Sequence, residues 1–428
     1  MISKPHHIYA WLFCGFAALG ACILGYDGVY FNGVSSLVSP LPPEAHRHIP
    51  HNDQDIFVKH FGTETTDGQY KISPSQLSVM TSMINVGELV GSLSAAPLND
   101  LVGRKIVFLV AAAVIVIGVV LQLVTSSSKS LITVGRAIMG LGVGAFSSTS
   151  PLYIAVSTIY SKSAQACSLT SISEQEVAPT SIRGPLLMCW QLTISLAQIL
   201  AAAITKGIET DQTTLAYRLP IGFQLLFPAL VFAFYALVPE SPRWLLRAGK
   251  DEKAKAALQA IHKDDKTYNP EQHLVTLRAA IDTEEILAAE SSWSSLLTDP
   301  IERRKLIFSA GALIAQQING IQWFYYFGTV FSKAIGLKDP FLMAVIVFLI
   351  QTVTVFLAVL FANKIPRRPL LLTTTAIMTV SIFIVGCLGI PDGDVSPTFG
   401  KVIISFVIIE ITAFNFGWGP LGWTIVSF

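Results

Sequence analysis

Ten stretches of this sequence are apolar over the ~20 residues that a helix rising about 1.5 Å per residue needs to cross roughly 30 Å of hydrocarbon. They run over about 10–34, 77–98, 106–125, 131–155, 184–205, 219–238, 306–330, 341–362, 370–390 and 401–427. No water-soluble fold can bury that many. Glycine and proline inside the stretches do not count against the reading, because neighbouring helices satisfy the freed backbone groups. The first stretch, Ala10 to Val34, is too long for a signal peptide's apolar core and contains Asp27, so it reads as a retained membrane helix.

Composition agrees. Hydrophobic residues make up 52% of the 428 and charged residues 13%, where soluble domains carry about a quarter charged. A net charge of +1 offers no electrostatic footprint for nucleic acid. The cysteines, Cys14, Cys22, Cys167, Cys189 and Cys387, have no metal-ligand spacing and read as small packing residues. There is no P-loop, G-x-S-x-G or H-E-x-x-H pattern, so the sequence predicts neither an ATP-driven pump nor an enzyme, and no cofactor or metal.

Lysine and arginine collect in Gly103-Arg104-Lys105, from Arg243 to Arg304, and from Lys364 to Arg368, while 126–130, 207–217 and 391–399 carry few. Alternating these segments across the bilayer puts the amino terminus and the long central segment in the cytoplasm. The segment from Ser35 to Ser75 then faces outside as a loop. The expected organisation is a six-helix bundle over 1–238, cytoplasmic linker helices over 239–304 (Asp251 to His262 being helix-prone) and a second bundle over 305–428. Two bundles joined by a charged linker is the layout of a two-fold repeat transporter.

Short motifs fall in order along this frame. They are Gly25-Tyr26-Asp27 with Gly33; Asp100-Leu101-Val102-Gly103-Arg104-Lys105; Gly135-Arg136 through Pro151-Leu152-Tyr153; and Glu176-Val177-Ala178-Pro179 with Arg183-Gly184. Then come Pro239-Glu240-Ser241-Pro242-Arg243-Trp244-Leu245, Gln316-Gln317-Ile318-Asn319-Gly320, Arg367-Arg368, and Trp418-Gly419-Pro420 with Trp423. Each is weak alone. In this order, over nearly the whole chain, they resemble the sugar porter family of the major facilitator superfamily, with the fungal sugar transporters closest.

The resemblance implies an all-α membrane protein of the major facilitator fold that moves a sugar, a hexose or relative, by alternating access. Transport is either facilitative or coupled to protons, in a multi-pass protein of the plasma membrane. A quinate, inositol or polyol porter of the same fold, a non-transporting sugar sensor and a defective fragment stay open. The substrate-binding residues it implies are Gln191, Gln316, Gln317, Gln322, Tyr326, Gln351, Asn415 and Trp423. Amides hydrogen-bond hydroxyls, and an aromatic face covers the apolar side of a sugar ring. Gln322 and Gln351 stand where asparagine is usual, and Phe327 replaces a tyrosine, which puts the usual hexose preference in question. An ionisable side chain at mid-bilayer costs at least about 2.5–3.5 kcal/mol and is functional by default. Asp27 and Arg136 are two such residues, expected to lie side by side and pair as the proton-coupling site. Asp100, Arg104, Glu176, Arg183, Glu240, Arg243 and Arg367 are expected to form breakable gating bonds at the cytoplasmic helix ends. Asn363 and Pro366 depart from the family's aspartate and glycine, weakening that side.

Two features depart from the family. Val156 to Gln175, polar and serine-rich, separates motifs that should be contiguous; its codon possibilities suit a retained in-frame intron, and a genuine loop is the alternative. The family also continues past the position of Phe428 to two further helices, so about ten of twelve are expected here.

Overall fold

The computed structural model describes residues 8–36, 56–64, 70–125, 128–158, 180–209, 213–261, 269–290, 294–334, 339–361, 364–388 and 397–426. Glu176, Asn363 and most of the 156–175 insertion lie outside them.

Helices stand at all ten expected spans. The first set comprises α1 (Ile8–Ser36), a short α2 (Ile56–Phe61), α3 (Pro74–Val102), α4 (Arg104–Val124), α5 (Lys129–Thr158), α6 (Thr180–Gly207), α7 (Leu215–Phe223) and α8 (Leu226–Phe234). Four linker helices follow: α9 (Pro242–Arg247), α10 (Asp251–Ile261), α11 (Pro270–Glu290) and α12 (Ser295–Thr298). The second set is α13 (Pro300–Ile318), α14 (Ile321–Ala334), α15 (Pro340–Phe361), α16 (Arg367–Leu388), α17 (Pro397–Phe416) and α18 (Trp418–Val426).

Local chemistry sets the ends. Ser73 accepts the Gln76 N–H at 3.2 Å ahead of Pro74, and Asp299 accepts the Ile301 N–H at 2.8 Å ahead of Pro300. Both are side-chain caps followed by a proline whose missing donor costs nothing in the first turn. The seventh span therefore starts at Pro300, upstream of the expected 306.

Three spans expected to be continuous are broken. The sixth breaks at Gln224-Leu225, the tenth at Gly417, and the seventh at Asn319-Gly320, where Gly320 adopts φ +85°. The segment expected as an outer loop holds α2 and a two-residue antiparallel hairpin, β1 (Thr63–Glu64) with β2 (Tyr70–Lys71). Alternation of apolar segments does not report such small elements. Below, the end carrying this hairpin is the hairpin end, and the end carrying α9–α12 is the linker end.

Within the first set α5 packs against α1, α3 and α4, and α6 packs against α1; in the second, α16 and α15 pack on α17, and α13 on α18. The seam between the sets is made by α1 with α14, and by α6 with α15 and α18. Large apolar side chains point outward all around, among them Leu93 at 69%, Val124 at 70%, Phe308 at 73% and Phe383 at 71% exposure. In water that surface would be an aggregation liability; against lipid it is the solvated face. Six stretches among the described residues are long and apolar enough to cross a membrane by composition alone.

Candidate functional site

At the linker end the separated motifs assemble around one carboxylate. Gly103, at φ +91°, turns the chain from α3 into α4, and a Cβ there would strike the Glu240 carboxylate. This is a backbone conformation and a space that only glycine fits. The turn aims the first N–H groups of α4 at Glu240, which accepts from Arg104 N at 3.1 Å, Lys105 N at 3.2 Å and Ser241 N at 2.9 Å. Those donors have no partner within their own helix, and an acidic group at a helix start is favoured by the helix dipole. Burial raises the Glu240 carboxyl above the usual carboxylate range, and the three backbone bonds pull it back. Arg104 reaches the Asn99 carbonyl at 3.1 Å and Asp100 Oδ1 at 3.4 Å, and Trp244 Nε1 donates to the Asp100 carbonyl at 2.9 Å. Tyr153 donates to the Pro239 carbonyl at 2.9 Å, tying the end of α5 to the same turn. The bonds of Asp100, Arg104 and Glu240 thus lie inside the first set and its junction with α9. Arg243 is half-buried and Arg367 exposed. Arg183 lies on α6, and its side chain is outside the described residues, as is all of Glu176.

Mid-span in the first set, Asp27 and Arg136 are both buried, at 1% and 0% exposure. They do not form the direct pair expected from the sequence. Asp27 Oδ1 accepts from Gln224 Nε2 at 3.2 Å, and its Oδ2 has no hydrogen-bond partner. Arg136 donates to Tyr30 Oη at 2.8 Å and to the Thr81 carbonyl at 3.5 Å, and its guanidinium lies 3.8 Å from the centre of the Phe31 ring. Tyr30 in turn donates to Gln122 Oε1 at 3.1 Å. The partner of Asp27 comes from the break between α7 and α8, which a continuous sixth helix hid from the sequence reading.

The seam carries the amides. On either side of the break at Gly320, Gln322 Nε2 donates to Gln317 Oε1 at 3.0 Å, and Tyr326 donates to Asn85 Oδ1 of α3 at 3.0 Å. Gln316 is buried and donates to the Trp418 and Gly419 carbonyls at 2.8 and 3.3 Å, joining α13 to α18. Gln351 is fully buried, and its amide nitrogen reaches Ser195 Oγ at 3.0 Å and Gln198 Oε1 of α6. Asn415 donates to Tyr325 Oη at 3.1 Å and to the Ile411 carbonyl. Gln191 is buried on α6 at 7% exposure. Trp423 lies on α18 with its side chain outside the described residues.

Sequence reasoning missed three polar bridges across the seam. Asn32 donates to the Tyr325 carbonyl at 3.1 Å, and Gln198 and Ser195 receive Gln351. At the hairpin end Lys206 of α6 bonds Asp339 at 2.7 Å and Glu209, so one ion pair ties α6 to the start of α15. Those bonds hold Lys206 above and Asp339 below their ordinary values. An isolated lysine at a helix end gives no sequence signal for such a bridge. A small cleft lies beside this seam, walled by Asn32, Tyr325, Thr329, Ser332, Phe348 and Ile411 among others. Among the described residues, none of the expected ligand residues is in those walls.

Two helical sets meeting at a seam of buried amides, with a lipid-facing exterior and mid-span charges, define a multi-pass membrane carrier. The profile of the sugar (and other) transporter family matches residues 13–159 and 164–427, and the chain belongs to that family of carriers, which are not enzymes. The low-affinity glucose transporter HXT4 of Saccharomyces cerevisiae is 29% identical over 99% of this chain and 69% of its own length. The probable glucose transporter rco-3 of Neurospora crassa is 28% identical over 96% of this chain and 64% of its own. The chain thus spans about two thirds of the length of these relatives. Among solved structures, the partially occluded inward-open xylose transporter XylE of E. coli superposes with a TM-score of 0.70 at 21% identity, over 98% of this chain and 87% of that one. The proton:xylose symporter XylE bound to 6-bromo-6-deoxy-D-glucose gives 0.72 at 20% identity, over 98% of this chain and 82% of that one. The fold is that of the major facilitator superfamily.

Proposed function

We propose that this chain carries a hexose or closely related sugar across the plasma membrane by alternating access, in company with a proton. The observation that carries the reading is the broken helix α13–α14, which sets Gln316, Gln317, Gln322 and Tyr326 around one interruption at the seam. Discontinuous helices at the interface of two repeats are where carriers of this kind hold solute. Gln191, Gln351, Asn415 and Trp423 complete the set from α6, α15, α17 and α18. Ser195 lies 11 residues from Lys206, and Gln351 11 from Pro340, about 16 Å from the hairpin end at helical rise, near the bilayer midplane. The glucose-transporting relatives support a hexose. Asp27 and Arg136 carry the proton coupling, the one bonded to Gln224 and the other to Tyr30. Basic residues gathered at the linker end support a cytoplasmic linker and amino terminus. Residues 1–238 and 305–428 act as the two moving bundles.

Labelled-solute uptake into transporter-null cells tests this, across hexoses, polyols and quinate at pH 5.5 and 7.5. Saturable hexose uptake that rises at the lower pH is expected. Uptake of quinate or a polyol alone would move the chain to that substrate class, and no uptake of any solute would overturn the transport reading.

Gating follows from the bridges. The bonds of Asp100, Arg104 and Glu240 stay within the first set and brace its linker end, with Arg183, Glu176, Arg243 and Arg367 proposed as their gating partners, while Lys206–Asp339 joins the two sets at the hairpin end. A solvent-screened pair of this kind is weak enough to break in every cycle. Lys206→Glu is expected to open the hairpin end, raising the labelling rate of a cysteine placed at Asn32 by an impermeant reagent about threefold. Adding Asp339→Lys restores the slow rate. Equal labelling of Lys206→Glu and its parent would dismiss the latch.

A further inference from the structure

Glu88 stands at the midpoint of α3, the Pro74–Val102 helix, as far from either membrane surface as that helix allows. None of the motifs uses it. Its backbone lies against Gly144 of α5, so close that a Cβ on Gly144 would strike the Glu88 carbonyl. Its side chain is half-buried and belongs to no hydrogen bond or ion pair among the described residues. It sits within electrostatic reach of Asp27 of α1 and Arg136 of α5 in the first set, and of Tyr326 of α14 in the second. One turn earlier on α3, Asn85 accepts the Tyr326 hydroxyl.

The charges here do not balance. Two carboxylates, Asp27 and Glu88, share one guanidinium, Arg136, whose hydrogen bonds go to Tyr30 and the Thr81 carbonyl. Among the described residues the other ionisable groups here are Tyr26 and Tyr30 of α1 and Tyr326 of α14; α4 carries its charges, Arg104 and Lys105, at the linker end. A carboxylate left without a countercharge at this depth is costly, and a cation removes the cost. Asp27 is sealed at 1% exposure, whereas Glu88 is partly open.

We propose that Glu88 is a proton-loading carboxylate of the transport cycle, standing between the water of the seam and the buried Asp27. A hydronium ion in that water gives its proton to a Glu88 carboxylate oxygen and leaves as water. When the seam opens to the other side, the proton passes back to water there. This rests on the reading of the chain as a proton-coupled sugar carrier, and it adds a second carboxylate to the coupling machinery.

The test uses the full chain reconstituted in liposomes, with labelled D-glucose and two measurements: accumulation driven by an imposed pH gradient, and equilibrium exchange with no gradient. Net transport must move the proton; exchange need not. Glu88→Gln is expected to lose at least tenfold in gradient-driven accumulation while keeping exchange within threefold of the parent. Glu88→Asp is expected to keep part of the accumulation. Parental accumulation in Glu88→Gln overturns the proposal, and so does equal loss of accumulation and exchange, which marks a structural role. A parent protein that exchanges glucose but ignores the pH gradient, or follows a sodium gradient instead, overturns the proposal and leaves sugar transport standing. A parent that neither accumulates nor exchanges glucose removes the transport reading, and this proposal with it.

Discussion

Replacing Arg136 with leucine is expected to cut the initial rate of sugar uptake by at least about 100-fold. The side chain is fully buried, holds Tyr30 by a 2.8 Å bond and lies 3.8 Å from the centre of the Phe31 ring. A desolvated cation over an aromatic face is worth about 2 kcal/mol or more. Losing Arg136 also takes away the buried cation nearest Asp27, a buried carboxylate whose second oxygen already lacks a hydrogen-bond partner, and an uncompensated buried charge is costly. A 100-fold loss corresponds to only about 2.8 kcal/mol, so the expected effect is a lower bound. Arg136→Lys keeps the charge but loses the planar fork, and it should fall between. Uptake would be normalised to the amount of monodisperse protein in the membrane. A leucine variant transporting within about threefold of the parent would remove Arg136 from the cycle.

Gly140→Val is expected to prevent the first set from assembling, seen as loss of the monodisperse peak in detergent and a lower unfolding temperature. Where α3 crosses α5 the two backbones touch. A Cβ at Gly140 would strike the Ile84 carbonyl; at Gly87 it would strike the Ala137 carbonyl, and at Gly91 the Leu141 carbonyl. Small residues let membrane helices approach closely, and packing replaces the hydrophobic drive that lipid removes. Overpacking a core costs about 1–3 kcal/mol when side chains can yield. Here the wall is backbone, so the helices must separate. They would carry with them Thr81, which receives Arg136, and Asn85, which receives Tyr326. Gly386→Ala is the contrasting case: nothing lies within 4 Å of its added Cβ, and alanine favours a helix by about 1 kcal/mol over glycine. An unchanged peak for Gly140→Val would refute the close-crossing account.

Much of this was legible from the chain. Apolar length places the helices, since only a helix of about 20 residues satisfies its backbone in lipid. The motif around Gly103 told which ends would carry charge, and the order of motifs told the family. The breaks were harder. The apolar run from Leu219 to Val238 reads as one helix although Pro228 lacks the N–H that would bond the Gln224 carbonyl, and nothing in its spacing shows that this glutamine turns onto Asp27. Asp27 and Arg136 bond Gln224 and Tyr30 rather than each other. Sequence adjacency on two helices gives a common depth; rotation about each helix axis decides who bonds whom.

The sequence by itself determined that the chain lives in a membrane, where its helices run, how its charges divide between the two ends, and which family of carriers it belongs to. Each follows from composition, length or order along the chain, which survive without knowledge of neighbours. The tertiary structure alone decided which amides are spent. Gln351 turns to Gln198 and Ser195, Gln316 to the carbonyls of α18, and Asn415 to Tyr325, while Gln317 and Gln322 pair with each other at the open break. It also decided that Lys206 meets Asp339 and that Glu88 shares the surroundings of Asp27 and Arg136. A hydrogen bond is directional and short, so its partner is fixed by the side chain that the packing of distant helices brings within about 3 Å, and that distance exists only in the folded molecule.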